Sequence, residues 1–292
     1  MLSSALLFSL MAVCVKWASE HYDAGELVFY RSLIGVVFIT VLARVRGTSL
    51  RTTMPAVHFW RSASGVASLV LWFYALGGLP LGTAMTLNYM SSVWMALFLI
   101  GGAVMLGAAR VDGRLVAAVL AGFVGVALVL RPTIEQQQAW HGLAGLLSGL
   151  LAAMAYLQVT ALGRAGEPEA RIVFYFSIGG LGLGALWIAL NGASGHTPGG
   201  VALLLAIGVS ATIAQMMMTR AYRIGHTLSN ASLQYLGIVF SSILGVLVFN
   251  DTVTSMALAG MALIVIAGLA ATFLRASQQH DAQDTRSPPN DT

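Results

Sequence analysis

Proline, glycine and arginine divide the chain into ten apolar runs, each long enough to cross a bilayer, and that succession leaves few folds open. A helix needs about 20 apolar residues to span a hydrocarbon core of roughly 30 Å. Runs of that length lie near 2–19, 26–44, 57–77, 80–107, 114–131, 142–163, 171–190, 200–222, 227–249 and 254–274. Hydrophobic residues make up 58% of the sequence and charged ones 9%, too few to cover a soluble domain of 292 residues. Inside lipid, backbone polar groups must be satisfied within the segment, so the runs read as helices. Pro55, Pro80, Pro132, Pro168 and Pro198 fall between or at the ends of the runs, where a missing N–H is tolerated. With no proline inside a span, any helix break is expected at glycine.

Charge gives the orientation. Arg44, Arg46, Arg51 and Arg61 bracket the second connection. Arg110 and Arg114 bracket the fourth, Arg164 and Arg171 the sixth, and Arg220 and Arg223 the eighth. Arg275 and Arg286 follow the last run. The alternate connections hold Arg131 and the acids Glu20, Asp23, Glu26, Glu135 and Asp251. Basic residues mark the cytoplasmic side, so both termini are expected there. The net charge of +4 is spread between spans and never gathers into a groove, which excludes nucleic acid as a partner. The single cysteine, Cys14, permits neither an internal disulfide nor a thiolate metal site. The first run lacks a basic leader and reads as a retained helix. Arginine-heavy usage fits a bacterial gene, and the expected location is the inner membrane, multi-pass.

The two halves repeat. Ala75 to Trp94, ALGGLPLGTAMTLNYMSSVW, aligns without a gap on Ala221 to Phe240, AYRIGHTLSNASLQYLGIVF. The alignment sets Asn88 on Gln234, Tyr89 on Tyr235 and Trp94 on Phe240. A register three residues shorter sets Ala117 on Gly260 and Gly125 on Gly268. Five spans per half is an odd number, so the second half enters the membrane upside down. The expected fold is therefore all-α and polytopic, ten transmembrane helices as two inverted five-helix repeats. The first repeat covers 1–131, an external connection 132–140, the second repeat 141–276, and a disordered cytoplasmic tail 277–292. Glycine pairs Gly145/Gly149 and Gly180/Gly184 have the spacing of close helix packing.

The order of these residues resembles the EamA-type family of the drug/metabolite transporter superfamily over essentially the whole length. The carriers are Val15-Lys16 late in the first span and Glu26-Leu-Val-Phe-Tyr-Arg31 opening the second. LNYMSSVWMALF and LQYLGIVFSSIL resemble the family's repeated segment, and Phe249-Asn250-Asp251 resembles its short Gly-Glu close. The first half reads Gly107-Ala108 at the matching place and lacks the acid. A proline usual in the middle of the repeated helices is also absent, with Ser91 and Gly237 nearby. The resemblance implies ten helices in inverted repeats and export or exchange of small metabolites, among them amino acids, nucleotide-like compounds and vitamins.

Few residues within the spans can do chemistry. Lys16 and Arg31 are the cations placed inside runs, and intramembrane charge marks function by default. Arg31 reads as structural, its long side chain reaching the external interface. Lys16 reads as the anchor for a carboxylate or phosphate. No Asp or Glu lies deep in a span, so a proton-for-drug exchange carboxylate is missing and the cargo is expected to be anionic or zwitterionic. Asn88 and Gln234, equivalent in the repeat, supply amides to a central site. Tyr89, Ser92, Trp94, Tyr156, Gln215 and Tyr235 complete the expected substrate-binding set. No catalytic residue, metal ligand or cofactor is expected.

These features describe a transporter of small anionic or zwitterionic metabolites, amino acids or related compounds, working by alternating access in the export direction. A proton-coupled multidrug exporter and, further off, a polytopic lipid-modifying enzyme are the alternatives. The partners are a small-molecule substrate and the lipid bilayer; monomer and homodimer are both compatible with the sequence.

Overall fold

The computed structural model describes residues 1–105, 113–135, 138–224 and 233–284. Among these the chain forms α1 (Leu2–Ala18), α2 (Ala24–Val45), α3 (Pro55–Gly78), α4 (Leu81–Tyr89), α5 (Ser91–Met105) and α6 (Gly113–Glu135). It continues as α7 (Ala139–Arg164), α8 (Glu169–Asn191), α9 (Pro198–Ile224), α10 (Leu236–Phe249) and α11 (Ser255–Asp284). The segments α4 and α5 are two halves of one expected span, so the helices follow the ten-run reading. By length and composition α2, α7, α8 and α9 can each cross a membrane. The outer surface is apolar, with Val37, Val41, Leu120, Leu186, Leu247 and Ile266 all exposed. Serines and threonines such as Ser68, Thr86, Ser148 and Thr212 are buried instead, each hydroxyl bonded to a backbone carbonyl. Lipid outside and hydrogen-bonded hydroxyls between helices account for this inversion of the soluble pattern.

Prolines set four of the helix starts among the described residues. Pro55 and Pro198 are first residues of α3 and α9, and Pro80 and Pro168 are the N-caps of α4 and α8, positions that need no N–H partner. Pro132 differs from the expectation, since α6 runs on through it to Glu135. The final helix also outruns its expected end, reaching Asp284 through the polar Ser277-Gln-Gln-His-Asp-Ala-Gln stretch. That stretch contains no glycine or proline to stop it. The remainder of the expected tail, like Gly107-Ala108 and the first residues of the ninth run, lies outside the described residues.

The main helix pairings recur when the first five spans are exchanged for the last five. α1 packs on α9 as α3 does on α7; α2 packs on α9 as α8 does on α3; α1 packs on α10 as α7 does on α4. The pairs α2–α8, α4–α10 and α6–α11 map onto themselves. Side chains fasten the halves together: the Ser4 hydroxyl donates to the Ala214 carbonyl at 2.7 Å and Ser9 to that of Gly237 at 3.2 Å.

The break between α4 and α5 falls at Met90, not at a glycine. The Met90 carbonyl accepts from the N–H groups of both Val93 and Trp94, at 2.9 and 3.0 Å, and the helix restarts at Ser91. In the second half Tyr235 is a turn residue between Gln234 and α10, one position from the equivalent place. The glycine that matters is on the facing helix. A Cβ at Gly149 of α7 would sit 2.5 Å from the Leu87 carbonyl oxygen and 3.0 Å from that of Asn88. The bare α-carbon thus lets α7 lie against the main chain just before the break. Gly149→Ala is expected to cost about 1–3 kcal/mol through overpacking, read as a lower melting temperature in detergent.

Thr52, Glu167 and Arg171 join the α2–α3 connection to the α7–α8 connection. The Thr52 hydroxyl and the Arg171 guanidinium donate to Glu167 at 2.7 and 2.8 Å, and Arg171 also donates to the Ser49 carbonyl. Burial pushes the Glu167 carboxyl up, but the Thr52 and Arg171 hydrogen bonds and the Arg171 charge outweigh it, with His58 adding to them, and hold it below its ordinary value. A depressed folded-state pKa stabilises the fold above the unfolded carboxyl's value, about 4.3, and that contribution is lost as pH falls through the lower folded value. Melting temperature followed against pH is therefore expected to fall more steeply on the acid side for the native chain than for Glu167→Gln.

Candidate functional site

Where the halves meet, α1, α2, α3, α4, α7, α8 and α9 line a small chamber of about 60 Å³. Two arginines reach it from helices whose periodicity turns them inward. In α2, Leu27, Arg31, Gly35 and Ile39 follow one another at four-residue spacing, and all are buried. In α3, Arg61, Gly65 and Leu69 do the same, continued by Trp72 and Leu76. Gly65 leaves the room that the Arg61 guanidinium occupies. Both cations lie over one ring, Phe176 of α8, with the Arg61 guanidinium carbon 4.0 Å and that of Arg31 5.0 Å from its centroid.

The charges are poorly compensated. Arg31 and Arg61 are 4% and 2% exposed, and no Asp or Glu is among the residues that line the chamber. Among the described residues Arg31 Nε and Arg61 Nε and Nη1 have no hydrogen-bond partner. The Arg31 Nη2 donates to the Gln215 Oε1 at a long 3.4 Å. A cation–π contact is worth about 2 kcal/mol when desolvated. The effective cost of burying one ion is several kcal/mol. A single ring shared by two guanidiniums does not close that gap.

The other wall is amide and phenol. Asn88 Nδ2 donates to the Ser148 hydroxyl at 3.0 Å. Gln234 donates from Nε2 to the Tyr156 hydroxyl at 3.3 Å and accepts from Tyr222 at 3.2 Å, and the two tyrosine rings stack at 5.7 Å. Asn88 and Tyr89 end α4 just before its break and Gln234 precedes the turn at Tyr235, so both discontinuities deliver side chains to one space. Trp72 adds a buried indole N–H without a partner among the described residues.

Of the residues expected from sequence, Asn88, Tyr89, Tyr156, Gln215 and Gln234 line this chamber. Lys16, Ser92, Trp94 and Tyr235 do not. Trp94 meets Phe123 of α6 edge-on at 4.9 Å, and Tyr235 lies against Gly268 of α11. Ser92 is buried beyond the Met90 turn, on α5, which packs against α7 as well as α11 and α6. Lys16 is held elsewhere: its ammonium donates to both carboxylate oxygens of Asp251, at 2.8 and 3.1 Å, and lies 4.6 Å from the Phe249 ring centroid. Asn250 ends α10 in the left-handed region with φ 53°, and this reversal brings Asp251 under the first N–H of α4, Leu81, at 2.7 Å. Neither Glu20 nor Glu26 is its partner; Glu26 instead accepts from the backbone and hydroxyl of Ser194.

Arg31 corrects the sequence expectation, because it is buried in the chamber and does not snorkel outward. Arg61 was missed altogether, counted with the loop arginines although α3 begins six residues earlier at Pro55. The signal was present: four-residue steps from Arg61 through Gly65 to Leu69 follow the inner face of α3.

Residues 1–131 match the model of the EamA-like transporter family. A pseudopaline exporter of Pseudomonas aeruginosa is 32% identical over 91% of this chain and 92% of its own. This chain belongs to the EamA-like transporter family. A riboflavin transporter of Rhizobium johnstonii is 27% identical over 76% of the chain and 72% of its own, and an S-adenosylmethionine uptake transporter of Rickettsia bellii is 23% identical over 88% and 86%. A solved crystal structure superposes with TM-score 0.68 over 93% of the chain and 95% of its own at 20% identity, which shows the same fold. As an EamA-like transporter, the protein is a multi-pass membrane carrier of small metabolites and not an enzyme.

Proposed function

We propose that this transporter exports small anionic or zwitterionic metabolites, amino acids or related compounds, through the chamber by alternating access. The observation that carries the reading is the pair of buried guanidiniums without an acidic partner. A negatively charged group bound between them replaces water that burial removed, so it is held in a medium where charge-assisted hydrogen bonds are strong. Asn88 and Gln234 offer donors and acceptors to the remainder of the cargo. The recurrence of the main helix pairings supports two inverted repeats rocking about the chamber. The arginine-rich connections support cytoplasmic termini, which makes Lys16–Asp251 a closure of the external end. Export follows the relative at 32% identity, which is named as an exporter.

Purified protein reconstituted in proteoliposomes tests this. Uptake of radiolabelled amino acids and organic acids is expected to exceed that of organic cations, and Arg61→Ala is expected to abolish it. Cation-selective flux that shifts luminal pH and survives Arg61→Ala would overturn the reading in favour of a proton-coupled multidrug exporter.

A further inference from the structure

We infer that the chamber's cargo carries two anionic groups, one for each guanidinium, in the manner of a short dicarboxylate. The inference rests on the anion reading above and narrows its substrate class. At 4.0 and 5.0 Å from one ring centroid, the two guanidinium carbons are within about 9 Å of each other. They arise from different helices, α2 and α3, each fixed by a buried stripe, so their separation is set by helix packing. Each still has unused donors: Nε on Arg31, and Nε and Nη1 on Arg61. A monoanion would neutralise one charge and leave the second buried and unpaired. Two carboxylates on a short chain neutralise both. Between them an aliphatic backbone finds Phe176 and Leu69, while an α-amino group, where present, faces Asn88 and Gln234 across the chamber. The like charges of the two arginines also disfavour the empty site, so the second carboxylate adds binding that no neutral substituent of the same size supplies.

The test is a titration of detergent-purified protein with succinate, glutarate, adipate, butyrate and the diamine putrescine, read by thermal shift and calorimetry. At least one dicarboxylate is expected to bind about ten-fold or more tightly than butyrate, the ratio one further charge-assisted contact gives. Arg31→Gln and Arg61→Gln are each expected to reduce the best dicarboxylate to the butyrate level, and the double variant to remove both. Arg61→Lys, which keeps the charge, is expected to retain a preference for the dicarboxylate. Equal affinity for butyrate and all three dicarboxylates would overturn the two-charge cargo while leaving the anion reading intact. Binding of putrescine with no response to any carboxylate would overturn both. The comparison of mono- with dicarboxylates uses the native chain, so it stands even if a variant fails to fold.

Discussion

Arg61→Met is expected to give a protein that is more heat-stable and no longer transports. In a structural role, losing an arginine that is 2% exposed would empty a packed position and lower the melting temperature. A site role has the opposite sign. The Arg61 charge is buried without an acid, and its Nε and Nη1 are unpartnered, so the fold bears a cost that binding of cargo offsets. An unbranched apolar side chain removes that cost and still covers Phe176. The gain is expected to be about 1–4 kcal/mol by analogy with buried charges replaced by apolar groups. Cargo affinity is expected to fall roughly ten- to hundred-fold, since a hydrogen bond to a charged group contributes about 1.5–3 kcal/mol. Thermal melting with and without cargo reads both effects in one preparation. A destabilised variant that retained cargo affinity would make Arg61 a packing residue and remove the main support for the chamber as the site. Such opposition between stability and activity is common where function requires an unfavourable group.

The second large effect separates Lys16 from Asp251. Asp251→Ala is expected to lower the melting temperature more than Lys16→Ala does, because the carboxylate serves two partners. It receives the Lys16 ammonium at 2.8 Å and the Leu81 N–H at 2.7 Å, the latter at the positive end of α4. Lys16 and Asp251 are 16% and 11% exposed, so the loss lies between the surface and the fully buried cases, about 1–3 kcal/mol for Asp251→Ala. Lys16→Ala leaves Asp251 bonded to Leu81 and leaves every chamber-lining side chain in place. Cargo affinity in Lys16→Ala is therefore expected to stay within about two-fold of native, as for sites without shared partners. A large loss of affinity would return Lys16 to the anchor role that its intramembrane position first suggested. Binding isotherms on the two variants decide between them.

What the chain announces by itself is governed by one-dimensional rules. The length of an apolar run fixes whether a segment can cross the bilayer, proline fixes where helices begin, and arginine counts order the connections. Asn88 and Gln234 were legible for a further reason: a duplicated sequence carries equivalent residues to equivalent places, and both amides reach the chamber. The absence of a deep carboxylate was equally visible, and the proposal of an anionic or zwitterionic cargo starts from it.

The tertiary structure decided which cations line the chamber. Lys16 looked exposed to cargo because its partner, Asp251, is 235 residues away and meets it only when α10 closes beside α1. Arg61 looked like a topology marker because charge near a helix end is usually cytoplasmic, yet its side chain is buried on the inner face of α3 beside Phe176. The turn at Met90 likewise divided neighbours that look alike in sequence, sending Asn88 and Tyr89 into the chamber while Ser92 and Trp94 lie away from it. In each case the deciding quantity is the direction of a side chain relative to helices distant in sequence. Packing sets that direction: the four-residue steps of α3 pointed Arg61 the same way, but nothing in composition or spacing pairs Lys16 with Asp251.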